Sequence, residues 1–241
     1  MGISKNILVL MAMRDEASPI IDKLNLIDNG QINNAYPIKI FSGSYKDINI
    51  NLLINGECSR YLVDNIGTQP SAITTHMGIE KFSPNLIINA GTAGGFKSDK
   101  AKIGDVYLGY PHVCFHDRRI NLPKYKEYGI GFYPCYPCEK IARELNLRLG
   151  VISTGNSLEY TEKDLEIMRE YNGVVKDMEA ASIAWVAEQF KVPFLAIKAI
   201  TDIVDGEKPT EEEFLQNIHS ASQTLCYETI RVLDYVSMNS I

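Results

Sequence analysis

Along this chain, short apolar runs alternate with segments whose apolar residues recur every three or four positions, the pattern of strands interleaved with helices. Asn6 to Met13 is an apolar run bounded by charge and reads as a buried strand. Ser18-Pro19 then reads as the N-cap and first residue of a helix, which leaves Glu16 in the turn between them. Ile38 to Tyr45 and Ile48 to Ile54 flank Lys46-Asp47 and predict a hairpin, and the segment from about Asp64 to Lys81 reads as helix, closed off by Pro84. Leu86 to Ala90 is a continuous apolar strand that runs into Gly91-Thr92-Ala93-Gly94-Gly95, expected to be a turn whose glycines let backbone N–H groups approach a ligand.

Gly109 to Pro137 is aromatic and proline-rich without a clear period, and connections of that length are usually functional or interfacial, so it is expected to cover a site. Val151 to Gly155 is a strand ending in a polar turn, followed by a helix from about Glu162 and a strand from Val174 to Met178. Glu179 to Phe190 places Ile183, Val186, Ala187 and Phe190 on one helical face, and Pro193 to Ile200 is a further apolar strand ending at Thr201-Asp202. Thr210-Glu-Glu-Glu213 reads as a capping box for a long final helix whose Phe214, Ile218, Ala221, Leu225 and Val232 share a face. No repeat, low-complexity tract or linker interrupts the alternation. The expectation is one α/β domain over residues 1–241, a central mixed sheet flanked by helices, with ligands beyond the carboxyl ends of its strands.

With 45% hydrophobic and 22% charged residues in 241, the chain has enough apolar surface for a sizeable core. Its net charge of -6 comes from scattered acids and bases without a basic stripe, which argues against nucleic acid and anionic membranes as partners. No apolar run approaches the roughly 20 residues that span a bilayer. The N-terminus lacks the long apolar region of a signal peptide, and Met1-Gly2-Ile3-Ser4-Lys5-Asn6 lacks the Ser or Thr that myristoylation prefers, so a cytoplasmic protein is expected. Five cysteines are too few and too dispersed for a disulfide framework. Cys135 and Cys138 form a CxxC between prolines, expected not to follow a strand and open a helix as a redox pair would, and two thiols fall short of a zinc site. His112 and His116 have no standard ligand spacing and read as hydrogen-bonded surface groups.

Four features then fall on strand-end turns: Glu16, the Gly91–Gly95 segment, Met178-Glu179 and Asp202. Each has a plainer reading. Acids favour helix N-termini, and Met178 and Leu158 would serve as ordinary core residues. The glycine segment matches neither the dinucleotide fingerprint nor a P-loop, so a nicotinamide oxidoreductase lacks support.

Asn89-Ala-Gly-Thr-Ala-Gly-Gly95, Lys176-Asp-Met-Glu-Ala-Ala181 and Lys198-Ala-Ile-Thr-Asp202 stand in the order and spacing of the purine nucleoside phosphorylase/nucleosidase superfamily, which the chain resembles from about Ile7 to Leu225. Phe115-His-Asp-Arg-Arg-Ile120 and Val204-Asp-Gly-Glu-Lys-Pro-Thr210 resemble the plant-type branch of its 5′-methylthioadenosine/S-adenosylhomocysteine nucleosidases. The resemblance implies a nucleoside phosphorylase-like fold, a homodimer and N-glycosidic hydrolysis without metal or cofactor, in methionine salvage. It also implies Asp202 as the acid that protonates adenine N7, Glu16 as the base for water, and Glu179 on the ribose hydroxyls. Met178 and Thr92 would line the pocket and Leu158 would close the base side, with Lys176 and Asp177 in the same motif. Partner aromatic residues from Gly109–Pro137 would cover the 5′-alkylthio group. Asn156 departs from the branch pattern, which has aspartate there. A phosphorylase would need cations around phosphate, whereas Arg14 is followed by Asp15 and Glu16, and a buried anion would repel phosphate. A non-catalytic nucleoside-binding relative would have no use for three intact acids.

Overall fold

Every residue from Ile7 to Met11 is buried, which a strand achieves only when both faces of its sheet are covered. Alternate residues divide between two cores. Ile7, Val9 and Met11 pack with Ala17, Ile20 and Leu24 on one side and with Ala221, Leu225 and Val232 from the C-terminal helix. Leu8 and Leu10 face the other way, toward Ile79, Ile183, Ala184 and Ala187.

The computed structural model describes residues 5–239, so residues 1–4, part of the segment on which the lipidation reading rests, lie outside the described residues. The first half contains β1 (Lys5–Met11), α1 (Arg14–Leu24), β2 (Ile27–Gln31), β3 (Lys39–Tyr45), β4 (Ile48–Ile54), β5 (Glu57–Cys58), β6 (Val63–Asp64), α2 (Thr68–Phe82) and β7 (Leu86–Gly95). Then come β8 (Val106–Phe115), α3 (Tyr125–Ile130), β9 (Tyr133–Pro134), α4 (Glu139–Leu145) and β10 (Arg148–Thr154). The chain ends with α5 (Glu162–Glu170), β11 (Gly173–Asp177), α6 (Ala180–Phe190), β12 (Phe194–Ile203) and α7 (Thr210–Met238). The main sheet runs β11-β10-β8-β12-β7-β1-β4-β3-β2, with β9 on β8. Because β11 also pairs with β7, strands β7, β12, β8, β10 and β11 close on themselves, and β1 to β4 extend from that ring. The sheet is mixed: β7 is parallel to β1 and β12, while β12–β8 and β11–β7 are antiparallel.

Several boundaries differ from the sequence reading, each for a local reason. Helix α1 begins at Arg14, not at Pro19, because Asp15 and Glu16 favour its positive end and Glu16 accepts the Met13 N–H. Ser18 bonds back to the Arg14 carbonyl at 2.8 Å instead of capping, and Glu16 lies in the first helical turn. Helix α2 starts at Thr68 because Val63–Asp64 pairs with Glu57–Cys58. The Gly91–Gly95 segment is not a turn: it continues β7 between β12 and β11. Asp202 correspondingly lies within β12, just past a register shift that makes Thr201 an extra residue opposite Ala93 and Gly94. Gly109–Pro137 holds most of β8, together with α3 and β9, and does not line this chain's cleft. Thr210 is the first residue of α7 rather than its cap, since Glu213 instead accepts the Ile203 N–H at 2.8 Å. Cys138 does open a helix after a strand, but both thiols are buried; burial pushes Cys138 up to about 12 and Cys135 upward as well, away from a reactive thiolate.

Candidate active site

The ends of β1, β7, β11 and β12 meet at one cleft of about 150 Å³. Its walls include Met13, Glu16, Ile66, Thr92, Gly94, Leu158, Lys176, Asp177, Met178, Glu179, Asp202 and Phe214. All eight residues singled out from the sequence as catalytic or substrate-binding therefore converge, although they span positions 16 to 202. Ile66 and Phe214 complete the apolar wall; the sequence pattern hid them, Ile66 in a segment read as helix and Phe214 on a face read as core.

Glu16 is buried, and three hydrogen-bond donors face its carboxylate. Oε1 accepts from both the backbone N–H and the hydroxyl of Thr92, at 2.7 and 2.6 Å, and Oε2 accepts from Met13 N–H at 3.4 Å. Burial still outweighs these donors and the nearby Lys198, so the carboxyl sits above the usual range. Asp202 is buried with less help: Oδ1 accepts from the Thr201 hydroxyl at 2.7 Å, and Oδ2 has no hydrogen-bond partner among the described residues. Burial raises its pKa, opposed by that one bond and by Lys176. Gly94 makes room for Asp202, because a Cβ there would lie 2.6 Å from Oδ2.

Glu179 stands at the N-cap position of α6 without capping it through its side chain, whose Oε1 accepts the Gly67 N–H at 2.9 Å. Burial raises it, with Asp177 and Glu16 adding repulsion and Lys198 and Gly67 opposing. Asp177 lines the cleft, but its oxygens are taken within the protein. Oδ1 accepts from Thr154 at 2.5 Å, and Oδ2 accepts from Ala180 N–H and Lys198 Nζ, both at 2.8 Å. Lys176 donates to the carbonyls of Ser157 and Leu158, at 2.6 and 2.9 Å, and so fixes the strip of chain that carries Leu158. Leu158 is 38% exposed and Met178 is half-buried at the cleft, so neither is a plain core residue.

Lys198 is the buried cation beside the site that sequence reasoning left without a role. It is fully buried below the cleft; burial pushes its pKa down, but Asp177, Glu179 and Glu16 outweigh that and hold it up. The available signal was a lysine within the otherwise apolar run Phe194 to Ile200. His116 is buried rather than on the surface, with Nδ1 3.1 Å from Ser153 Oγ, and it does not line the cleft. Among the described residues no cluster of three or more His, Cys, Asp or Glu side chains is arranged for a metal ion.

Residues 6–234 match the family model described as "Phosphorylase superfamily". The chain is 43% identical over 235 residues to the 5′-methylthioadenosine/S-adenosylhomocysteine nucleosidase of Arabidopsis thaliana, covering 96% of this chain and 91% of that protein. It is 37% identical to a 5′-methylthioadenosine nucleosidase of the same plant, covering 96% and 87%. The solved apo form of Arabidopsis thaliana 5′-methylthioadenosine nucleosidase has a TM-score of 0.95 at 36% identity, covering 100% of this chain and 98% of that one. The chain belongs to the phosphorylase superfamily and, within it, to the 5′-methylthioadenosine/S-adenosylhomocysteine nucleosidases.

Proposed function

We propose that the chain hydrolyses the N-glycosidic bond of 5′-methylthioadenosine to adenine and 5-methylthioribose, with S-adenosylhomocysteine as a second substrate. One observation carries this reading: two buried carboxyls, Glu16 and Asp202, share a cleft but have unequal hydrogen-bond support. Burial raises both carboxyls, and Asp202, with a single donor, is the one that keeps its proton and passes it to adenine N7 as the C1′–N9 bond breaks and its electron pair moves to the base. Glu16, held as the anion by Thr92, takes a proton from water as the water oxygen bonds to C1′. Glu179 accepts from the ribose 2′- and 3′-hydroxyls and, with Glu16, stabilises the positive charge that develops on the sugar. Leu158, Met178, Thr92 and Phe214 enclose the base and sugar, while Lys176 and Asp177 act as supports.

Phosphorolysis is disfavoured by the same geometry. The cleft-lining cation, Lys176, is bound to two carbonyls, and Arg14 lies elsewhere on the surface, beside Asp64. The segment that leads to the cleft residue Ile66 also exposes Tyr61, Leu62 and Val63, which supports a homodimer, testable by sedimentation. No helix among the described residues is long and apolar enough to cross a membrane, which is compatible with cytoplasmic methionine salvage.

The test is adenine release from each nucleoside, with and without phosphate and with chelator present. Phosphate-independent release supports hydrolysis, a phosphate requirement makes the protein a phosphorylase, and no release leaves a binding protein. Glu16→Gln and Asp202→Asn are each expected to lower kcat by about 10²–10⁴ while preserving the fold, as loss of a general base or acid does.

A further inference from the structure

Asn156 lies between β10 and α5, outside the residues assigned to chemistry, yet its amide is used from both ends. Its backbone N–H and Nδ2 donate to Asp117 Oδ2 at 2.8 and 3.1 Å. Its Oδ1 accepts from the Thr68 backbone N–H and hydroxyl at 3.0 and 2.8 Å. The amide donates from its nitrogen while it accepts at its oxygen; an aspartate carboxylate only accepts. Asp117 depends on the arrangement, because its Oδ1 is buried with no partner among the described residues.

Thr68 opens α2, and the residue before it, Gly67, has no side chain with which to satisfy the helix's free N–H groups. Gly67 has φ +93°, and a Cβ there would lie 3.0 Å from Asn156 Oδ1. Capping therefore comes from residues distant in the chain. Asn156 takes the Thr68 N–H, and Glu179 Oε1 takes the adjacent Gly67 N–H at 2.9 Å. These are consecutive peptide units, so a shift at one donor displaces the other.

We infer that Asn156 is a positioning residue for ribose recognition: by clamping the start of α2 to Asp117 it aims the Gly67 N–H, and through it the Glu179 carboxylate, at the sugar hydroxyls. The inference rests on the proposed role of Glu179. Asn156→Asp sets a second carboxylate against Asp117 at hydrogen-bond distance, whereas adding Asp117→Asn returns one donor and one carboxylate to the pair and keeps an acceptor for Thr68.

The experiment measures KM and kcat for methylthioadenosine, and the inhibition constant of its 2′,3′-dideoxy analogue, in the wild type, Asn156→Asp, Asn156→Ala and the Asp117→Asn/Asn156→Asp double variant. Both single Asn156 variants are expected to lower kcat/KM for methylthioadenosine about tenfold, the scale of one or two lost hydrogen bonds. The dideoxy constant should stay within about twofold, and the double variant should recover most of kcat/KM, since a general loosening would weaken both ligands and gain nothing from the exchange. Unchanged kcat/KM in the single variants, parallel loss for both ligands, or a double variant no better than Asn156→Asp would each overturn the inference. An inactive wild type would sink the functional reading and this inference together; an active wild type with indifferent Asn156 variants sinks this one alone.

Discussion

Replacing Lys198 by methionine, which has similar length and no charge, isolates what one buried cation does. Its Nζ lies 2.8 Å from Asp177 Oδ2, and the two side chains are 1% and 0% exposed. Removing one partner of such a pair leaves the other buried and unpaired, at a cost of about 3–5 kcal/mol. Asp177 would keep Thr154 at 2.5 Å and the Ala180 N–H at 2.8 Å, which argues for the low end, about 3 kcal/mol. In a chain of this length each kcal/mol is worth about 2–4 °C, so Tm should fall by about 6–12 °C. Lys198 also lowers Glu16 and Glu179, so without it both carboxyls rise further. Glu16 must be ionised to act as base, so the acidic limb of kcat/KM should move to higher pH, with a larger loss at pH about 6 than about 8. Calorimetry and a pH–rate profile on the purified variant measure both effects. A Tm within about 2 °C of wild type together with an unmoved acidic limb would refute the assignment of Lys198 as the charge that organises these acids.

Other variants test the neighbouring contacts. Thr92→Val removes the 2.6 Å hydroxyl bond to Glu16 but leaves the backbone donor, so kcat/KM should fall about tenfold and the acidic limb should rise; an unchanged profile would reduce Thr92 to a wall residue. Gly94→Ala puts a Cβ 2.6 Å from Asp202 Oδ2 and 2.7 Å from Val204, and displacement of the acid should lower kcat by about 10², read in single-turnover adenine release. Because burial raises Asp202, the native state binds more protons there than the unfolded chain. Its contribution to stability is therefore full below the ordinary value of 3.8 and is lost as pH rises through the folded value. Urea unfolding across that window should show wild type losing its stability relative to Asp202→Asn as pH increases, and the opposite slope would mean the shift has the wrong sign.

Periodicity exposed β1, β7 and β12 because they are buried on both faces, and it exposed the β3–β4 hairpin because Lys46-Asp47 breaks two apolar runs, but it missed β8, where Gly109-Tyr110-Pro111 interrupts the apolar run, and the largely exposed β2. It misplaced elements wherever a tertiary partner outweighs local preference. Pro19 looked like a helix start, but the first-turn acids and Glu16's bond to Met13 begin the helix earlier. The glycines of β7 looked like a turn, but β12 and β11 pair with them on both sides and leave no side-chain volume to spare. The site acids were legible because each lies in or beside a strand-end motif. The links among them were not: Thr92 to Glu16 spans 76 residues and Gly67 to Glu179 spans 112, distances over which no local pattern carries information.

The charge balance of the assembled site then separates water from phosphate as the attacking group. Glu16, Asp177, Glu179 and Asp202 supply four carboxyls, and Lys176 and Lys198 supply two ammonium groups. In the protonation state that the proposed mechanism requires, with Asp202 neutral and Glu16 and Glu179 ionised, the site carries one net negative charge. That sign suits an oxocarbenium-like sugar, whose positive charge appears only as the glycosidic bond breaks, so the stabilisation acts on the transition state more than on the neutral substrate. A phosphate dianion would instead enter an already negative, poorly solvated pocket in which both lysines are bound to protein oxygens, and no hydrogen-bond donor of Thr92 is left over, since both point at Glu16. Water needs only an acceptor for its proton, and Glu16 is held in place to be one.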